Sequence, residues 1–248
     1  MQREYFLVVN ELERQCSTYF CNRLVSAYIH GSVDKEDAIY GVSDLDYYLI
    51  VSDCIKAEDY EWQNNVIEQL QNQFDVVDEV HLTIQSVKGL KDDPFTRFIL
   101  SYNATLRMGK RIESIPEYHS CEWYCPNKYL AKMRLSFARK CFEEALEQKT
   151  PACTGEIPNN VYYAARKLAR YFVIVEGAYF LMTRNKFCGF DKKVVLSGLN
   201  EEASAFQDVL KMTEFVLSDP LRAQIDQETF LQTVQALIEW MFQEIQYA

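Results

Sequence analysis

The sequence predicts an α+β protein: an N-terminal part that mixes strands with helices, followed by a C-terminal α-helical bundle. Apolar residues alternate at period two only in the first half, in "LVSAYIHG", "DLDYYLIV" and "VVDEVHLTIQSV". After about Pro116 the apolar stretches follow helical spacing. Between the two regimes lies "SIPEYHSCEWYCPNK", punctuated by two prolines. The expected domains are residues 1–117 and 118–248.

Residues from about Arg3 to Asn22 carry acids and amides inside an apolar pattern, which fits an amphipathic helix and not a signal peptide. Strands are expected over Leu24–Gly31 and Asp44–Val51, a helix over Ala57–Phe74 and a third strand over Val76–Val87. "PFTRFILSYNATLRMGK" reads as one helix that starts at Pro94 and stops near Gly109. In the second half, "NKYLAKMRLSFARKCFEEALEQ", "PNNVYYAARKLARYFVIVEGAYFLMTRN", "EEASAFQDVLKMTEFVLSD" and "DQETFLQTVQALIEWMFQEIQ" read as helices, with "FVIV" locally ambiguous.

A chain of 248 residues has room for one large domain or two small ones. The net charge of -10 argues against a broad nucleic-acid face. No apolar run approaches the length of a membrane span. The expected setting is the cytoplasm, with neither nucleic acid nor membrane as partner; the oligomeric state stays open. The eight cysteines are scattered, and Cys121-x3-Cys125 has no second pair at zinc-finger spacing. They are expected as reduced thiols, several of them filling the core.

Asp44 and Asp46 flank Leu45 at the head of an apolar strand. Residues two apart on a strand share a face, about 6.6 Å apart by the strand rise. Two carboxylates so placed suit a hard cation such as Mg²⁺. Glu79, or its neighbour Asp78, heads another strand and is a candidate third acid, able to bind a cation or take a proton. Gly31 lets the backbone approach a ligand closely, and Ser32 can donate its hydroxyl to a phosphate oxygen. The alternative reading is that the aspartates cap a strand end and Gly-Ser is a turn.

Gly31-Ser32, eleven intervening residues, and Asp44-Leu45-Asp46 followed by apolar residues resemble the signature of the polymerase-β-like nucleotidyltransferase superfamily. The later acid at "EVHLTI" and the helical second half resemble its streptomycin and spectinomycin adenylyltransferase branch, which favours Glu79 over Asp78. The resemblance implies a mixed sheet flanked by helices in the first domain and a helical substrate-binding domain after it. It implies Mg²⁺-dependent transfer of AMP from ATP to a hydroxyl of a small acceptor, with release of pyrophosphate. An aminoglycoside-type antibiotic, and hence antibiotic resistance, is the acceptor class of that branch. In these terms Asp44 and Asp46 hold the metal, Glu79 binds a metal ion or acts as base, and Gly31 and Ser32 hold phosphates. A protein acceptor, as in toxin–antitoxin pairs, and a catalytically silent nucleotide binder are the alternatives.

The helical half adds weaker candidates. Lys192, with Lys193 beside it, matches loosely a phosphate-binding lysine of related enzymes. Arg166 and Arg170 are four apart and would share a helix face, as a phosphate clamp or as a solvated stripe. Glu176 interrupts an apolar run, so it faces either an acceptor or an ion-pair partner on a neighbouring helix. His30 finishes a strand, and His81 shares the strand face of Glu79 as a second-layer candidate. Trp123, Tyr124, Tyr162 and Tyr163 read as core aromatics or stacking platforms.

Overall fold

Four strands form one sheet in the order β3-β2-β1-β4: β1 Leu24–His30, β2 Leu45–Val51, β3 Val80–Ser86 and β4 Ala104–Gly109. β1 pairs antiparallel with both β2 and β4, and β2 pairs parallel with β3, so the sheet is mixed. The structure is a computed structural model and describes residues 1–115, 126–148, 165–166, 168–218 and 227–246. The chain divides into two compact units, Met1–Cys125 and Pro126–Ala248. The expected boundary after residue 117 falls outside the described residues, as do His119, Cys121, Trp123, Tyr124, Cys125, Cys153, Tyr162, Tyr163 and Lys167.

In the first unit the period-two pattern of β2 sorts its side chains between two cores. Leu45, Tyr47, Leu49 and Val51 are buried with Val8, Leu12 and Cys16 of helix α1 (Phe6–Phe20) and with Val66 and Leu70 of the helix Ala57–Gln73. Tyr48 and Ile50 point to the opposite face. There they pack with Leu90 of the short helix Val87–Lys91 and Leu100 of the helix Pro94–Tyr102. Asp46 shares that second face by the same alternation. In chain order the one-turn helix Gly31–Asp34 is α2, and the three just named are α3, α4 and α5.

An ion-pair network anchors the start of α3. Arg23 donates through Nη2 to Asp59 Oδ2 at 2.7 Å and through Nε to Asp53 Oδ1 at 2.8 Å. Asp59 is fully buried and also accepts from the Lys56 backbone N–H. Arg23 holds its carboxyl well down, at about 2.

Three expectations are corrected here. The single helix expected from Pro94 to Gly109 ends at Tyr102, and Ala104–Gly109 is strand β4. Asn103 leaves the helical region, and the alternating "ATLRM" finds a partner in β1. Arg107 on β4 then reaches Glu13 of α1 at 2.6 Å. The strand expected over Val76–Val87 is only Val80–Ser86. Val76 and Val77 are buried in the turn before it, and Ser86 Oγ caps α4 through the Gly89 N–H. Asp44 lies one residue ahead of β2 rather than on it.

The regular elements described in the second unit are all helical: α6 Lys128–Gln148, a π-helical segment Ala169–Val175 leading into α7 Glu176–Thr183, α8 Lys192–Glu202, α9 Gln207–Ser218 and α10 Gln227–Gln246. The expected continuous helix through "FVIV" is therefore a π-helix in that stretch. The expected helix through "EEASAFQDVL" breaks at Ala203, and α8, for which no helix was expected, precedes the break. Among the described cysteines Cys16 is buried, whereas Cys21, Cys54 and Cys188 are exposed thiols. No helix among the described residues is long and apolar enough to cross a membrane.

Candidate active site

β1 ends at His30, and Gly31 turns the chain with φ of 76°. That positive φ favours glycine, and a second constraint adds to it. A Cβ on Gly31 would collide with Oδ2 of Asp46. The Gly-Ser turn and the second aspartate, far apart in the sequence, are thus in direct apposition. Gly31→Ala is expected to cost about 1–3 kcal/mol through backbone strain alone, read by chemical denaturation, and to displace Asp46.

Pairing delivers the remaining groups. His30 and Asp46 are antiparallel partners, and Asp46 and His81 are parallel partners, so a His–Asp–His row crosses three strands on one face. The ladder extends one step beyond β3. The Leu45 N–H donates to the Glu79 carbonyl at 2.8 Å, which keeps Glu79 level with Asp44. His81 spans the acids: its Nε2 lies 2.8 Å from Glu79 Oε2 and its Nδ1 3.3 Å from Asp46 Oδ1. The bond to Asp46 pushes the His81 pKa up to about 9 against the opposing effect of burial. Burial holds His30 below its ordinary value, and its ring lies 5.1 Å from that of Tyr48.

The sequence candidates in the first unit therefore converge in part. Gly31, Asp46, Glu79 and His81 are brought together. Asp44 and the half-buried Ser32 adjoin them in the chain. Asp78 is exposed, its backbone N–H donating to the Ser43 carbonyl. In the second unit, Arg170 is a half-buried residue of the π-helical segment, and Lys192 opens α8 beside its N-cap Asp191. Arg166 is not a solvated group. It is buried and donates to the Leu217 carbonyl at 2.9 Å. Glu176 is fully buried and paired with Arg134 of α6 at 2.9 Å, the ion-pair alternative of its two readings. Burial pushes its carboxyl up to about 7, against the lowering effect of Arg134.

The donor chemistry at the sheet edge fits a hard divalent cation: carboxylate oxygens on β2 and immediately ahead of β3, with a glycine leaving room behind one of them. As the side chains stand, two of those carboxylates are turned onto His81. No three His, Cys, Asp or Glu side chains among the described residues are arranged to hold a metal.

No family model matches the chain, and no curated protein matches it. Among solved structures, it is similar to spectinomycin adenyltransferase AAD(9) from Enterococcus faecialis, crystallised with ATP and spectinomycin. The TM-score is 0.53 at 12% identity, over 97% of this chain and 99% of that one. The chain has the fold of this nucleotidyltransferase. The resemblance carried by Gly31-Ser32 and Asp44-Leu45-Asp46 thus holds at the level of the fold. The strand β4 is not legible in the sequence; His81 is, as a second-layer candidate on the face of Glu79, and the parallel register of β2 and β3 adds that it stands beside Asp46.

Proposed function

We propose that this chain is a divalent-metal-dependent nucleotidyltransferase that moves AMP from ATP to a hydroxyl of a small, cationic, aminoglycoside-type acceptor and releases pyrophosphate. The observation that carries the reading is the acid cluster around Asp46, with Gly31 against it, in a chain that shares an adenyltransferase fold over 97% of its length. A net charge of -10 suits a cationic acceptor.

In this reading Asp44, Asp46 and Glu79 hold Mg²⁺, which supplies charge neutralisation at the triphosphate. Ser32 and the Gly31 backbone bind phosphate oxygens. Glu79 takes the proton of the acceptor hydroxyl as its oxygen bonds to the α-phosphorus. The bond from that phosphorus to the β-phosphate bridging oxygen breaks, and pyrophosphate leaves. A contact between Glu176 and an acceptor requires the Arg134 pair to open.

The test is pyrophosphate release by the full chain with Mg²⁺ and each nucleoside triphosphate, across hydroxylated acceptors that include spectinomycin and streptomycin. Acceptor-dependent release with ATP is expected. Silence with every acceptor, alongside a mass increase on a co-purified protein, would instead identify a protein-modifying enzyme.

A further inference from the structure

Resting on that reading, we propose that His81 is a positioning residue that fixes the Asp46 and Glu79 carboxylates toward a bound divalent cation. The bridge is geometric. Asp46 and His81 are level in the parallel ladder, and Glu79 lies two residues before His81 on the same side. The ring nitrogens stand 2.8 Å from Glu79 Oε2 and 3.3 Å from Asp46 Oδ1. An imidazole is rigid, so its width sets the separation of the two carboxylates it joins. Donating to two carboxylates takes an N–H on each ring nitrogen, so the bridge is made by the imidazolium, which engages one oxygen of each carboxylate and leaves the other for a cation. On its far side Asp46 lies against Gly31, where the absence of a Cβ leaves room for its Oδ2.

Nothing in the packing explains His81 otherwise. Its side chain is 49% exposed, whereas its β3 neighbours Val80 and Leu82 are core residues. A histidine that only filled space on an edge strand would not need to face two acids. Hydrogen-bond partners of metal-ligating groups are typically worth about 10–100-fold in metal affinity or activity.

The experiment titrates the full chain with Mn²⁺ in the presence of ATP, followed by electron paramagnetic resonance, for the wild type and for His81→Ala, His81→Gln and His81→Asn. His81→Ala is expected to weaken Mn²⁺ binding about 10–100-fold with an unchanged melting temperature. Glutamine, whose amide nitrogen stands near the Nε2 position, or asparagine, near Nδ1, restores part of the loss. In turnover, kcat falls in His81→Ala while the acceptor KM holds. Mn²⁺ binding by His81→Ala equal to or tighter than that of the wild type overturns the proposal and leaves the nucleotidyltransferase reading standing. A loss that neither amide relieves also overturns it. A wild type that binds no Mn²⁺ with ATP overturns the reading itself, and the proposal with it.

Discussion

Asp44→Asn/Asp46→Asn is expected to lower kcat/KM by at least about 10³-fold, the scale on which preorganised charge at a reaction centre is measured. Phosphoryl transfer needs in-line positioning and charge neutralisation more than covalent help, so the loss falls on the chemical step. Calorimetry gives a second readout. ATP binding by the wild type should require Mg²⁺, and the doubly substituted protein should lose the Mg²⁺-dependent part. Asparagine keeps the volume of aspartate, and Asp46 lies at the partly exposed end of β2, not among Leu45, Tyr47 and Leu49. The variant should therefore fold. Equal ATP binding by both proteins, or binding by neither, would return the two acids to the role of strand-end caps.

The second large effect concerns stability. Arg23→Ala removes the side chain that holds Asp59, a fully buried carboxylate. Breaking a buried pair from one side is expected to cost about 3–5 kcal/mol, because the remaining charge has no water to return to. Urea unfolding followed by circular dichroism checks it. Asp53→Ala serves as the control. Its carboxylate is 44% exposed, and losing it should change little. The pH dependence has a definite sign. The Asp59 carboxyl is depressed to about 2 in the folded chain, from an ordinary 3.8. Its contribution is fully present above about pH 4 and is lost as the pH falls through about 2. Arg23→Ala should flatten the stability profile across that window.

Much of the first unit was legible in the sequence, for a physical reason. Asp44 and Asp46 break an apolar pattern at a place where burying charge is costly, and Gly31 precedes them at a meaningful distance. Such violations of local preference are visible one residue at a time. What depended on pairing was not. "ATLRM" follows a helix with only Asn103 between them, and its strand conformation comes from β1, more than seventy residues earlier in the chain. The partner of Glu176 is Arg134, on a different helix. The π-helical turn at Ala169–Val175 lies in the near-continuous apolar run "YFVIV", whose spacing does not distinguish one helix type from another. Arg166 looked like a surface cation because its acceptor, the Leu217 carbonyl, belongs to a distant segment.

The strand order carries a consequence for biosynthesis. β1 has β2 on one side and β4 on the other, and β4 is the last strand among the described residues. As the protein emerges from the ribosome, β1 and β2 are complete long before Ala104 appears. Until then one side of an apolar strand is an open edge, the kind that recruits other chains. The segment Ala104–Gly109 therefore works as a closing seal. A nascent chain stalled before it would hold every carboxylate of the acid cluster and still be a template for aggregation.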